Sequence, residues 1–426
     1  MLKKLTVVLL LSIVYQPVVL AMPFGTFDPR SLAMGGTGVS SGTSANAGYY
    51  NPALLAATRN EEDFSLEAPV IGLRIADPEN LEDSLDAYQA SDYEGKLSTA
   101  ITNFHADQTS VANATAAADA LTAMDNGIQT LTNKPLILEG NLGVSIGIPN
   151  RSVGISITSN ARALAGAELN YTAEDSALIQ AYADEFTKVA GGTAPDTSNL
   201  YLYDGAGKLQ DLPSRLTSTI DVRGALIHET GISLGTMFEL GRFPVALGIT
   251  PKTVNITTFD YAVGMQNATI DKDKGKVEYS NSNVDIGAVT YLGAGFKMGV
   301  VGKNLVRKSY TTALGNEIVI KPQVRAGISH HGHWTTVAID VDVTQNDPLG
   351  LDEKTQYIGA GIEINLLDTL QVRAGIKQNR LATTTSKDKN VSSIGVGFSP
   401  FGIHIDAAYA ESDVEKAASL QLGFQF

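Results

Sequence analysis

Eight charged or imidazole side chains recur on one face of strand-like segments near the end of the chain: Arg325, Asp340, Asp342, Glu363, Arg373, Lys377, His404 and Asp406. In an enclosed space they would serve either as a polar track for a substrate headgroup or as ion pairs that brace a wall and dock what lies inside it. Aligning Ile328 with Val337 across one hairpin sets Arg325 opposite Asp340. The same construction on the next hairpin sets Glu363 opposite Arg373. Catalysis needs more than charge. The sequence has no Walker A motif, no Rossmann fingerprint, no Gly-x-Ser-x-Gly and no acid and base in a convincing context, and Met34-Gly35-Gly36 follows no strand. No catalytic residue and no cofactor is assigned, and an enzyme is not expected. His330-His331-Gly332-His333 is the one histidine cluster. Zinc or copper would suit imidazoles, but neighbours on a strand point to opposite sides, so no metal site is assigned. With no cysteine, thiol redox chemistry, a thiol nucleophile and disulfides are excluded.

A second stretch is neither good strand nor good helix. Residues 27–55 read FDPRSLAMGGTGVSSGTSANAGYYNPALL. Gly35, Gly36 and Gly38 permit positive φ and close backbone approach, Asn51-Pro52 is a turn signal, and Tyr49-Tyr50 precedes it. Such a segment carries many backbone groups that need partners. The expectation is a plug over residues 22–60, with Gly35, Gly36, Gly38, Tyr49, Tyr50, Asn51 and Pro52 as its key positions, enclosed by a wall formed from residues 61–426.

The wall is read from alternation. Leu420, Leu422 and Phe424 oppose Gln421, Gly423 and Gln425. Ile403, Ile405 and Ala407 oppose His404, Asp406 and Ala408. One face is aliphatic or aromatic throughout; the other carries charge and glycine. A soluble sandwich would show the reverse bias, so the aliphatic face suits lipid and the other a wet or plugged lumen. The expected fold is all-β: a transmembrane antiparallel up-and-down barrel of fourteen strands. Sixteen would follow if Glu229-Thr230-Gly231 and Thr250-Pro251-Lys252-Thr253 were turns. The wall strands include 277–288, 293–303 and 318–329. Short and long connections alternate, as periplasmic turns and outer loops do. Two long connections, 77–134 and 172–215, are expected to be helical inserts, with Leu121, Met124, Ile128 and Leu131 on one helix face and Leu178, Ala181 and Phe186 on another.

Residues 1–21 read as a cleaved signal peptide: Lys3 and Lys4, an apolar run from Leu5 to Val14, then Val19-Leu20-Ala21. The chain carries a formal charge of −14, and losing Lys3 and Lys4 gives −14 − 2 = −16. Phosphate would repel it, so no direct nucleic-acid partner is expected. The expected location is the outer membrane of a Gram-negative cell. The expected partners are lipid, a hydrophobic small molecule, and the barrel-assembly machinery, met through the terminal Phe426.

RSLAMGGTGVSSGTSANAGYYNPALLA (30–56) resembles the N-terminus of the long-chain fatty-acid (FadL-type) channels. ITPKTVNITTFDY (249–261), VGKNL (301–305), KPQVRAGISHHGHWTTVAIDVDVTQND (321–347), LQVRAGIKQN (370–379) and SSIGVGFSPFGIHIDAAYA (392–410) resemble the TraF-type branch of that superfamily, labelled as conjugal transfer proteins. The resemblance implies a plugged outer-membrane channel that takes up a hydrophobic small molecule. The alternative is an accessory of plasmid conjugal transfer without transport. An outer-membrane enzyme of lipid chemistry finds no nucleophile to support it.

Overall fold

The structure is a computed structural model, and it describes residues 25, 28–57, 63–194, 196–199, 201–205, 210–240, 243–265, 273–346, 351, 354–366, 369–381 and 390–425. The expected signal peptide and Phe426 lie outside the described residues.

Alternation dictates the strands. In chain order they are β1 (Ser65–Ala76), β2 (Leu136–Ile148), β3 (Gly154–Asn170), β4 (Thr219–Leu240), β5 (Phe243–Gly264), β6 (Lys276–Gly293), β7 (Phe296–Lys303), β8 (Lys308–Thr311), β9 (Glu317–Ile320), β10 (Gln323–His331), β11 (Thr335–Asp342), β12 (Tyr357–Leu366), β13 (Leu370–Asn379), β14 (Asn390–Phe398), β15 (Ile403–Glu411) and β16 (Glu415–Gln425). Among the described residues, fourteen of them close one antiparallel barrel. β1 pairs with β16 as well as with β2, and β7 pairs with β10. Closure leaves no unpaired sheet edge. β8 and β9 stand apart as a two-stranded hairpin. Ile155, Ile157, Ile232, Leu234, Ile249, Ile328, Ile339 and Val372 project outward and are exposed, while the charged and glycine positions between them face the lumen.

Three sequence expectations need correction. Residues 318–320 are not wall. They form β9, and the barrel strand begins at Gln323, after Pro322, which has no N–H to give a ladder. The turn expected at 289–292 falls at Ala294-Gly295, both at positive φ, so β6 continues through Gly293. The apolar parity switch at 250–253 is neither bulge nor turn. β5 keeps one register across it, with Lys252 opposite Gly231 and Ile249 opposite Leu234. Val254 and Ile256 simply face the lumen. The true bulge lies in β1 between Glu67 and Val70, interrupting both of its ladders.

The barrel has a turn end, where β1 begins and β16 finishes, and a loop end. At the loop end α3 (Leu81–Ala90), α4 (Tyr93–Ala106), α5 (Val111–Gln129) and α6 (Ala173–Ala190) form a helical cap. Its core joins Phe104, Leu121, Met124, Ile128, Leu178, Ile179 and Phe186. Two buried carboxylates tie it. Asp125 accepts from Tyr171 Oη (2.6 Å), Gln180 Nε2 (2.8 Å), Gln129 Nε2 (3.0 Å) and Ser176 Oγ (3.1 Å), linking α5 to α6. Asp175 accepts from Ser218 Oγ and N and from Thr217 N. Burial alone would raise the Asp175 pKa. The Ser218 hydroxyl and the Thr217 and Ser218 N–H groups outweigh it and hold the carboxyl below its ordinary value. A depressed pKa stabilises the fold fully above the unfolded value, about 4, and that contribution is lost as pH falls through the depressed one. We expect amide exchange at the start of α6 to accelerate below about pH 4, and Asp175→Asn to abolish that pH dependence.

Candidate functional site

The N-terminal segment lies inside the barrel. α1 (Pro29–Ala33) starts at Asp28, whose carboxylate caps Ser31 N (3.0 Å). Gly35 and Gly36 then adopt left-handed φ of 68° and 81°, turning the chain back along the wall. α2 (Ala47–Tyr50) and a 3-10 turn (Pro52–Leu55) follow, the latter capped by Asn51. The wall offers bare backbone where the plug touches it. A Cβ on Gly359 would sit 2.0 Å from Gly35 O, on Gly375 2.2 Å from Gly35 N, and on Gly361 2.4 Å from Met34 O. Across the lumen, a Cβ on Gly248 would sit 2.3 Å from Ala53 N, and one on Gly287 1.9 Å from Asn51 Oδ1. We expect Gly361→Ala to drive α1 off the wall at a cost of about 1–3 kcal/mol while the barrel still forms. Protease cleavage within residues 28–57, with heat-modifiable migration of the barrel retained, would check this.

Luminal side chains satisfy the plug backbone. Asp340 accepts from Gly38 N (2.8 Å) and Val39 N (2.9 Å). Arg325 donates to Gly36 O (3.1 Å), Ser145 to Ala45 O (2.6 Å), Ser329 to Ser40 O (3.1 Å), Lys303 to Tyr49 O (2.8 Å) and Ser393 to Ala33 O (3.0 Å). Within the plug, Asn51 Nδ2 donates to Val39 O (2.9 Å). Tyr49, Tyr50 and Pro52 are buried, and the Tyr50 ring lies where a Gly38 Cβ would clash.

All eight charged positions singled out in the sequence face the lumen, and each engages protein groups. Arg325 lies opposite Asp342 and pairs with it at 2.6 Å; it does not face Asp340, which is opposite Gly327. The β10–β11 turn takes in two more residues than the Ile328–Val337 alignment allowed, so Ile328 meets Ile339. Glu363 does lie opposite Arg373. It holds Arg373 at 2.7 Å and the plug's Arg30 through two bonds of 2.9 Å each. Arg373 also pairs with Asp406. His404 meets Glu67 at 2.7 Å, and Lys377 meets Glu415 at 3.3 Å. These residues dock the plug and brace the wall. Sequence reasoning missed Arg30 as the plug's cation; its lone positive charge in a glycine-rich run was the available signal. At the turn end, His331 lines the lumen while the His330 ring lies tilted against Phe296 with ring centroids 4.6 Å apart.

The family described as F plasmid transfer operon, TraF, protein matches residues 48–342. The chain belongs to that family. The TraF match takes in α2, the 3-10 turn and the wall as far as β11. Among solved structures, this TraF chain is similar to a TodX deltaS2S3 mutant monoaromatic hydrocarbon channel, at 10% identity and a TM-score of 0.50, over 93% of this chain and 97% of that one. It is also similar to the P. putida toluene transporter TodX (10%, 0.48, 94% and 97%) and to a Pseudomonas aeruginosa FadL homologue (10%, 0.47, 96% and 99%). No curated protein matches. At this identity the first likeness shows a shared fold.

The plug divides the lumen. On its turn-end side is a cavity of about 630 Å³ with a polar lining, including Arg30, Glu67, Glu363, Arg373 and His404. On its loop-end side Arg74, Glu139, Arg162, Lys377 and Glu415 form a charged belt, with Arg74 Nε 2.7 Å from Glu415 and Arg162 Nε 2.5 Å from Glu139. Beside that belt, where Ile227 is the ladder partner of Arg162, the luminal wall carries an apolar stretch of Leu164, Ala225, Ile227, Val254 and Ile256. The β8–β9 hairpin covers it.

Proposed function

We propose that this protein is a plugged outer-membrane channel through which a hydrophobic small molecule enters the cell. The observation that carries the reading is the combination of an aliphatic outer face with an N-terminal segment hydrogen-bonded inside a closed barrel. An aliphatic outer belt suits lipid, and a polar lumen does not. The shared fold with a monoaromatic hydrocarbon channel supports the same substrate class. In this reading the turn end faces the periplasm, where both ends of the barrel lie, and the helical cap faces outward. A signal peptide delivers the chain, the terminal Phe426 is read by the assembly machinery, and the protein is not an enzyme. Ligand enters beneath the cap and the plug shifts to release it. The TraF family match favours a second reading, an outer-membrane accessory of conjugal transfer. On that reading the sealed lumen is permanent and the cap is the working surface.

The test is uptake of radiolabelled toluene and oleate by cells with and without the protein, together with mass spectrometry of small molecules that co-purify in mild detergent. The channel reading expects faster, saturable uptake of one probe and a stoichiometric hydrocarbon or fatty acid lost on deleting residues 28–57. Equal uptake and a clean barrel would sink it. A lower mating frequency in the deletion strain would then support the second reading.

A further inference from the structure

Among the described residues the lumen is mostly polar, and the small apolar clusters on β14–β16 and on β5–β6 are met by the plug; a further apolar patch, on three adjacent strands, is not. Leu164 of β3 lies directly opposite Ala225 of β4. Ile227 of β4 lies opposite Ile256 of β5, which lies opposite Tyr279 of β6. Val254 extends the row. These residues form a continuous aliphatic patch on a surface that mostly carries charge and glycine.

No barrel strand covers this patch. It is covered by Tyr310, Ile318 and Ile320 of the β8–β9 hairpin, which are almost completely buried against it. The hairpin has four paired positions and no ladder to the barrel. A two-stranded hairpin by itself is marginal in water, so its position depends on the patch and on a few polar contacts. Two of those contacts converge on one carboxylate: Thr312 Oγ1 (2.5 Å) and Asn316 Nδ2 (2.8 Å) both donate to Asp260 Oδ2 on β5. Tyr279 Oη adds a bond to Thr311 O (2.7 Å), and its ring lies 5.2 Å from that of Tyr310. Asp260 keeps a second partner, Arg223 at 3.5 Å, so unlatching the hairpin does not strand the carboxylate.

We propose that the patch is the luminal binding site for the hydrophobic ligand and that the β8–β9 hairpin is a displaceable lid occupying it at rest. This rests on the uptake reading and adds where the ligand is held and what it must displace. The lid's buried groups, one aromatic ring and two branched aliphatic side chains, define what can replace them: a hydrocarbon ring or chain, with any charged group left outside the patch. A solute whose charge had to enter the patch would be excluded, because the patch offers it no hydrogen-bond partner. The lid also explains how an aliphatic patch persists in a wet lumen, since at rest it meets protein rather than water.

The chain has a single tryptophan, Trp334, at the turn end. In full-length protein carrying Trp334→Phe and Tyr310→Trp, the introduced indole reports the lid. Titration with toluene and with sodium oleate is expected to give a saturable red shift as the indole leaves the patch. Adding Thr312→Val and Asn316→Ala removes the latch and should lower the half-saturating concentration about tenfold. Should Tyr310→Trp not fold, Ile318→Cys labelled with a polarity-sensitive dye gives the same readout in a chain without other cysteines. Saturable cellular uptake with no change at either reporter would overturn the lid and leave the channel reading standing. Absence of saturable uptake of both probes would overturn the channel reading, and the lid with it.

Discussion

A variant lacking residues 28–57 is expected to conduct. The barrel closes through its own fourteen strands, and the plug supplies none of that ladder. What the plug supplies is lumen filling. Fourteen strands lie between small barrels filled by side chains and the sixteen to eighteen strands that leave a water channel. Once Gly359, Gly361 and Gly375 no longer face α1, the wall there is bare backbone over a wide gap. Asp340, Ser145 and Ser393 lose plug partners but gain water, so the barrel survives. In planar bilayers the intact protein should be nearly silent and the variant should pass ions steadily. In cells, sensitivity to a large hydrophilic antibiotic should rise about tenfold or more. Unchanged conductance in a properly inserted variant would mean that the cap or the hairpin, and not the plug, seals the pore.

The second large effect is expected at Glu363. This carboxylate holds Arg30 of the plug and Arg373 of the wall, and the three side chains are at most 13% exposed. Glu363→Ala leaves two guanidinium groups facing each other. Arg373 keeps Asp406, and among the described residues Arg30 keeps the Ser41 carbonyl at 2.6 Å. Removing one partner from a buried ion pair costs about 3–5 kcal/mol, and the cheapest relief is for Arg30 to leave with α1. Hydrogen exchange across residues 28–34 should therefore accelerate sharply while exchange in β12 and β13 changes little. Arg30→Ala added to Glu363→Ala should recover part of the loss, because the uncompensated charge that ejects the plug is gone. Slow exchange of α1 in Glu363→Ala would show that the glycine contacts alone seat the plug.

The architecture was legible because a barrel wall writes its two faces into alternate residues. That pattern located fourteen wall strands, helical spacing in two long connections located the inserts, and the non-repeating glycine-rich run stood out against both. The errors share a physical origin. Ile318 to Ile320 continue the alternation of the wall strand that follows them, and only Pro322 marks the break between them. The apolar switch to Val254 and Ile256 read as an irregularity in β5, although it records a luminal patch and the hairpin above it. The pairing of Arg325 with Asp342 depends on the length of the 332–335 turn, which alternation does not determine. Asp260 looks like any other luminal carboxylate until the hairpin folds back to it. The plug's contacts with wall glycines join residues hundreds of positions apart, so each half shows its small residues while the fit appears only in three dimensions.

The plug also has a direction in time. Its 3-10 turn touches β4, β5 and β6, and α2 touches β3 and β4, all of them before β7 in the chain. α1 touches β13, β14, β15 and β16, the last to be made. Seating therefore runs backward along the segment: Pro52–Leu55 has its niche once β4 to β6 have paired, and Pro29–Ala33 waits for β13 to β16. Those same strands meet β1 to seal the cylinder. The last step of assembly and the locking of the plug thus become one event, and an unfinished cylinder holds its stopper by one end only.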